Sequence, residues 1–187
     1  MQIHAPSRFE NSFFQQKAAP ELKSLDLWAK RTLGKWKRRK SILQPWSSIV
    51  DDAVTAREDL EELSDGEINQ RIEKMRHDIT SVVVPNAQSI ALLSEVARRE
   101  LGLTPYPVQM LSALALINGY LAEIDTGEGK TLSIALAAAF ESWKGEPVHV
   151  ITANDYLATR DAKTMGPLYL RLGISVASVV GETQPGQ

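Results

Sequence analysis

The sequence of 187 residues contains no cysteine, which excludes disulfides and thiolate metal sites. Histidine is scarce as well. His4, His77 and His149 stand apart without ligand spacing, which argues against a zinc centre. Long apolar runs are missing too. The most apolar stretch, 110–124, is interrupted by Ser112, Asn118 and Gly119 and is too short to span a bilayer. The first residues are polar, and no apolar core follows a charged start as it does in a signal peptide. These absences describe a soluble, cytoplasmic chain. No internal repeat or low-complexity segment is visible.

What remains is ordinary in bulk, with 43% apolar and 24% charged residues. The length suffices for one core with an extra arm. The charge is uneven. Residues 1–40 carry ten Lys/Arg against three Asp/Glu, and residues 41–187 carry eleven against twenty. A basic arm therefore precedes an acidic body, a split that suits contact with phosphate or an anionic surface.

Within the arm, Leu22, Leu25, Trp28, Ala29, Leu33 and Trp36 recur at helical steps, and "KWKRRK" follows with five cations around one tryptophan. Pro45 is expected to end this element. Two tryptophans and a basic face at 20–40 suit an anionic membrane surface. A helix packed on the body, with its charges in water, explains the same residues equally well, and nucleic-acid binding is the less favoured third reading. Further on, Ser64 and Glu67 form a capping-box pattern for a helix reaching about Ile79. Ile90, Leu93, Val96, Ala97 and Leu101 are in phase for a helix over 87–101. Pro107 suits the first turn of a helix running to about Ile117.

Then the rhythm changes. "YLAEI", "PVHVITA" and "ISVASVV" are short and apolar or β-branched, like strands. Between them, "KTLSIALAAAFESW" predicts a buried helix, and "NDYLATRDAKTMGPLYLRLG" a helix broken or kinked at Gly166–Pro167. Alternating strands and helices predict an α/β fold: an incomplete parallel sheet with crossover helices on both faces. The expected division is a basic arm at 1–40, a helical lead-in at 41–104 and a partial nucleotide-binding domain at 105–187.

The stretch "EIDTGEGKTL" carries the chemistry. Gly129, Lys130 and Thr131 match the end of a phosphate-binding loop, although Ile124 stands where its first glycine belongs. Thr126, Gly127, Glu128 and Gly129 are then left to make the turn, with N–H groups aimed at an anion and a helix N-terminus behind them. Lys130 is expected at the outer phosphates and Thr131 at Mg²⁺. Asp125 and Glu128 are read as solvated carboxylates beside the loop, or as aids to metal-bound water. Neither is assigned as a catalytic base.

"AEIDTGEGKTL" resembles the first nucleotide-binding motif of SecA, the motor ATPase of bacterial protein export. "ITANDYLATRDAKTMGPLYLRLGISV", "PYPVQM" and "LEELSDGEINQRI" resemble its following motif, its adenine-reading segment and its acidic lead-in helix. The resemblance runs over about 38–180. It implies a helicase-like motor fold, with ATP and Mg²⁺ as ligands. It also implies Gln109 reading adenine, Tyr106 against the base, and Gly127, Glu128, Gly129, Lys130 and Thr131 around the phosphates. Arg160 and Asp161 match the end of the second motif, and an ion pair on a helix surface explains them as well. The implied partners are a protein-conducting channel and a preprotein, at the inner face of the cytoplasmic membrane.

Asp125 departs from the family pattern and adds negative charge near the phosphates; Ile124 and Ala153 depart mildly. The Asp-Glu-x-Asp segment of such motors is not found in these residues, and Asp155 is assigned to a helix start rather than to magnesium. The expectation is weak nucleotide binding without turnover by this chain alone. A non-catalytic regulatory module and a piece of a nucleic-acid helicase remain as alternatives.

Overall fold

The computed structural model describes residues 43–79, 84–125 and 127–181, all within one unit, 43–187. The basic segment 20–40 and Thr126 lie outside the described residues. The described residues form six helices: α1 Leu43–Glu61, α2 Asp65–Asp78, α3 Ala87–Leu101, α4 Pro107–Ile117, α5 Lys130–Ser142 and α6 Asp155–Arg171.

Local chemistry sets the helix starts. Ser64 caps α2: its Oγ accepts from the Glu67 N–H at 3.4 Å, while the Glu67 carboxylate accepts from the Ser64 N–H at 2.8 Å. Asn86 and Ser89 make the same reciprocal cap on α3, at 2.9 and 3.0 Å. Asn154 caps α6, its Oδ1 accepting from the Leu157 N–H at 2.9 Å. The arm element that Pro45 was expected to end lies outside the described residues, and Pro45 opens the next one. It sits in the first turn of α1, where its missing N–H leaves no internal bond unmade.

The core is built around α3, which packs on α1, α2, α5 and α6, while α4 lies against α1 and α5. Residues from Ser89 to Ala97 of α3 are buried all round. That includes Glu95, which the apolar phasing alone would not place inside. Its carboxylate accepts from Arg98 at 2.7 and 2.9 Å and from Arg99 at 2.6 Å. Arg99 continues to Asp65 at 3.0 Å and to the carbonyls of Leu60 and Leu63 at 3.0 and 2.7 Å. Asp65 also accepts from Arg171 at 2.9 Å. One chain of charges thus joins the α1–α2 corner, α3 and the end of α6. Burial pushes the Glu95 carboxyl up, but hydrogen bonds from Arg98 and Arg99 outweigh it and hold the group below its ordinary range. Arg99 and then Arg171 hold Asp65 low in the same way.

The expected α/β class is overturned here: no described residue is in a strand, and no sheet forms. The three strand-like segments, around 120–124, 147–153 and 174–180, run without ladder pairing. Leu121, Ile151 and Val179 are 97%, 93% and 80% exposed. The physical reason is that β-branched composition only says that a residue fits a pleated, half-buried surface. A strand exists through bonds to a neighbour, and parallel pairs are the weaker kind. A helix closes its own bonds, so the helical expectations carried over where the strand expectations did not. Of the break or kink expected at Gly166–Pro167, the break is absent: the helix continues through both residues.

Candidate functional site

The phosphate-loop residues stand between α4 and α5. Gly127 and Gly129 have φ of 93° and 74°, and no non-glycine residue described has positive φ. Backbone handedness therefore alternates over Gly127, Glu128 and Gly129, which is how successive N–H groups are turned into an anion-binding nest. The Glu128 N–H reaches the Asp125 carbonyl at 3.3 Å. Gly129 is the N-cap of α5, and among the described residues no side chain caps that helix. The Leu132 N–H closes back on the Gly129 carbonyl at 3.0 Å, and the helix dipole points its positive end at the loop.

Gln109 holds the loop from below. Its Oε1 accepts from the Tyr106 N–H at 3.0 Å, and its Nε2 donates to the Glu128 carbonyl at 2.9 Å. The side chain is buried at 7% exposure, and a Cβ on Gly129 would fall inside its carboxamide. Glycine is therefore required at 129 twice, by backbone conformation and by this approach. An amide has two donor hydrogens and two acceptor lone pairs, so one of each is left after these bonds. Tyr106 itself is 69% exposed beside this amide.

Lys130 donates from Nζ to the Asp125 carbonyl at 2.7 Å. The loop thus closes on its own lysine, and sequence reading, which weighed only the Asp125 side chain, had no signal for this backbone contact. The side chains of Asp125 and Glu128 are exposed. Thr131, the next residue, lines a cavity of about 510 Å³ between α5, α6 and segments 148–154 and 174–179. Such a volume is in the range of small-ligand sites.

The structure brings Gln109, Glu128, Gly129 and Lys130 into one bonded cluster, with Tyr106 attached through its backbone. It does not bring Arg160 there. Among the described residues Arg160, on α6, pairs with its neighbour Asp161 at 2.6 and 2.9 Å. Asp161 and Asp155 do line the same cavity as Thr131. Asp155 is the first residue of α6, and its Oδ2 accepts from the Gly181 N–H at 3.1 Å. Burial, with the Asp161 charge added, pushes the Tyr169 phenol at the cavity wall up to about 12.

Comparison with known proteins gives this arrangement a family. The model of the SecA DEAD-like domain matches residues 30–187. "Protein translocase subunit SecA 2" of Chlorobium chlorochromatii is 53% identical over 50% of this chain and 14% of its own length. "Protein translocase subunit SecA" of Aliarcobacter butzleri is 43% identical over 70% of this chain and 16% of its own. The Wolbachia (Brugia malayi) protein of the same name is 35% identical over 84% and 18%. The chain thus spans less than a fifth of the length of these relatives. No helix among the described residues is long and apolar enough to cross a membrane. With a family match over most of its length, the chain belongs to the SecA DEAD-like domain family.

Proposed function

We propose that this chain is the ATP-binding part of a motor that drives preproteins through a protein-conducting channel. The supporting observation is the uncapped start of α5, with Gly127 and Gly129 in positive φ and Lys130 and Thr131 immediately after. The residues fit a nucleotide triphosphate. The loop and helix N–H groups take phosphate oxygens, and Lys130, released from the Asp125 carbonyl, adds its charge. Thr131 offers a hydroxyl to Mg²⁺. Gln109 keeps one donor and one acceptor for an adenine edge, and Tyr106 an exposed ring for its face. ATP bound with Mg²⁺ would supply the phosphoanhydride whose cleavage drives such motors. Arg160 is proposed to act from α6 only when that helix approaches the loop.

The assignment of translocation rests on the names of the relatives, and it concerns a protein of which this chain is a small part. Localisation at the inner membrane face, with the basic segment 20–40 on anionic lipid, is proposed on the same footing. Phosphoryl transfer needs charge on both sides of the γ-phosphate and an oriented water. One wall of such a site is supplied here, so weak binding without turnover is expected.

Calorimetric titration with ATP·Mg²⁺ and ADP tests this, with phosphate release followed in parallel. Lys130→Ala is expected to weaken binding at least about tenfold, the loss of one charge-assisted contact. Equal binding by both proteins would remove the loop from the proposal, and rapid phosphate release would overturn the expected lack of turnover.

A further inference from the structure

Helix α6 is unevenly held. Its buried residues, Met165, Leu168 and Tyr169, lie in its last seven positions, and none lies in residues 155–164. The end is fastened on several sides. Leu168 and the following Leu172 are fully buried. The Leu172 carbonyl accepts from Trp143 Nε1 at 3.1 Å. Arg171 bonds Asp65 at 2.9 Å and faces Glu100 at 3.7 Å. Gly173, at φ 71°, lies under Arg76 of α2, where a Cβ would meet Nη1 at 2.5 Å. Among the described residues the other end has its Asn154 cap and an Asp155 to Gly181 bond, and beneath it lies the cavity shared with α5.

The weakest step in the helix separates these two parts. Pro167 has no N–H to give the Lys163 carbonyl, and its ring crowds that carbonyl. Gly166 beside it is the least helix-favouring ordinary residue. Few buried contacts on one side of a missing hydrogen bond, and many on the other, are the conditions for local opening.

We propose that α6 is a hinged arm: residues 168–172 are clamped to α2, α3 and α5, and residues 155–164 swing about Gly166–Pro167 to widen and narrow the cavity. The arm carries Arg160 and Asp161, so its position sets how near they stand to Thr131. Asp65 is a positioning residue for the fixed end. The proposal does not depend on nucleotide binding.

The absence of native cysteine gives a clean test on the whole chain. Spin labels at Gln88→Cys paired with Thr159→Cys measure the arm, and Gln88→Cys with Leu170→Cys the clamped end; all three sites are exposed. Double electron–electron resonance should give an 88–159 distance distribution about twice as broad as 88–170, as expected for a locally mobile segment. Pro167→Ala should narrow the first and leave the second, whereas Asp65→Asn should broaden the second. Hydrogen exchange on the unlabelled chain gives an independent reading: amides 157–163 should exchange at least about tenfold faster than 168–172. Equal widths and equal exchange, or an arm unchanged by Pro167→Ala, would overturn the hinge.

Discussion

The two sides of this molecule obey different physics. On the side of α1, α2 and α3, reciprocal caps open α2 and α3 and a buried carboxylate is met by two guanidinium groups. On the side of the glycine loop, apolar segments run in the open and Gly129 takes the cap position of α5. The first side is tightly packed and its charges are paired, in part with Arg171 at the end of α6. The second leaves donors, volume and apolar surface for something else. The difference shows where stability and ligand chemistry are each concentrated, and mutations on the two sides should separate them.

The largest effect belongs to Glu95. Removing a fully buried charge takes one partner from each of two arginines, and breaking a buried pair costs up to about 3–5 kcal/mol. Glu95→Ala should lose that much stability in urea unfolding, where a loss below about 1 kcal/mol would show the cluster to be decorative. The same groups set an acid limit. The carboxyls of Glu95 and Asp65 are held below their ordinary values in the folded chain, so the unfolded chain takes up protons first. Their contribution is complete above the ordinary carboxylate range and is lost as pH falls through the depressed values. Glu95→Gln should flatten that acid limb, and an unchanged limb would assign it to other carboxylates.

Gly129 comes next, and it separates stability from binding. Alanine there requires φ of 74° and collides with the Gln109 amide. Held conformations of this kind cost about 1–3 kcal/mol. Gly129→Ala is expected to stay folded with a modest loss in thermal unfolding, but to lose measurable ATP binding in calorimetry. Binding equal to that of the parent chain would show that the loop backbone does not hold phosphate.

The same contrast explains what the sequence disclosed. Helices were legible because their signals are local: Ser64 with Glu67, Pro107 at a first turn, the phased apolar residues of 87–101. The glycine turn that opens α5 was legible for the same reason, since Gly129, Lys130 and Thr131 are neighbours. The fold class was not. "PVHVITA" and "ISVASVV" carry strand composition, but pairing depends on a partner segment that no local pattern reveals. Pro45 opens α1, a role the sequence did not disclose because proline both ends helices and opens them, and only its position in the turn distinguishes the two. The charge cluster was half legible: Glu95, Arg98 and Arg99 have helical i, i+3, i+4 spacing, while Asp65 and Arg171 join them only in three dimensions. Gln109 was singled out for a base, and its bond to the Glu128 carbonyl adds a second task that spacing did not suggest.

The smallest effect is the sharpest check on the comparison. Ile151 is a large β-branched residue, and on the helical side its loss would open a cavity worth several kcal/mol, about 2–5 for truncation to alanine. Here it is 93% exposed, so little apolar surface returns to water when it is replaced. Ile151→Ser should therefore change urea stability by no more than about 0.5 kcal/mol, as at ordinary surface positions. The same substitution should raise solubility, because an exposed apolar residue favours association between copies. A loss above about 2 kcal/mol would mean that 147–153 packs as an element in solution, because a cost of that size requires burial. The contrast between a well-packed helical side and an open loop side would then have to be redrawn around that segment, starting from Ile151 and its neighbours Val150 and Val148.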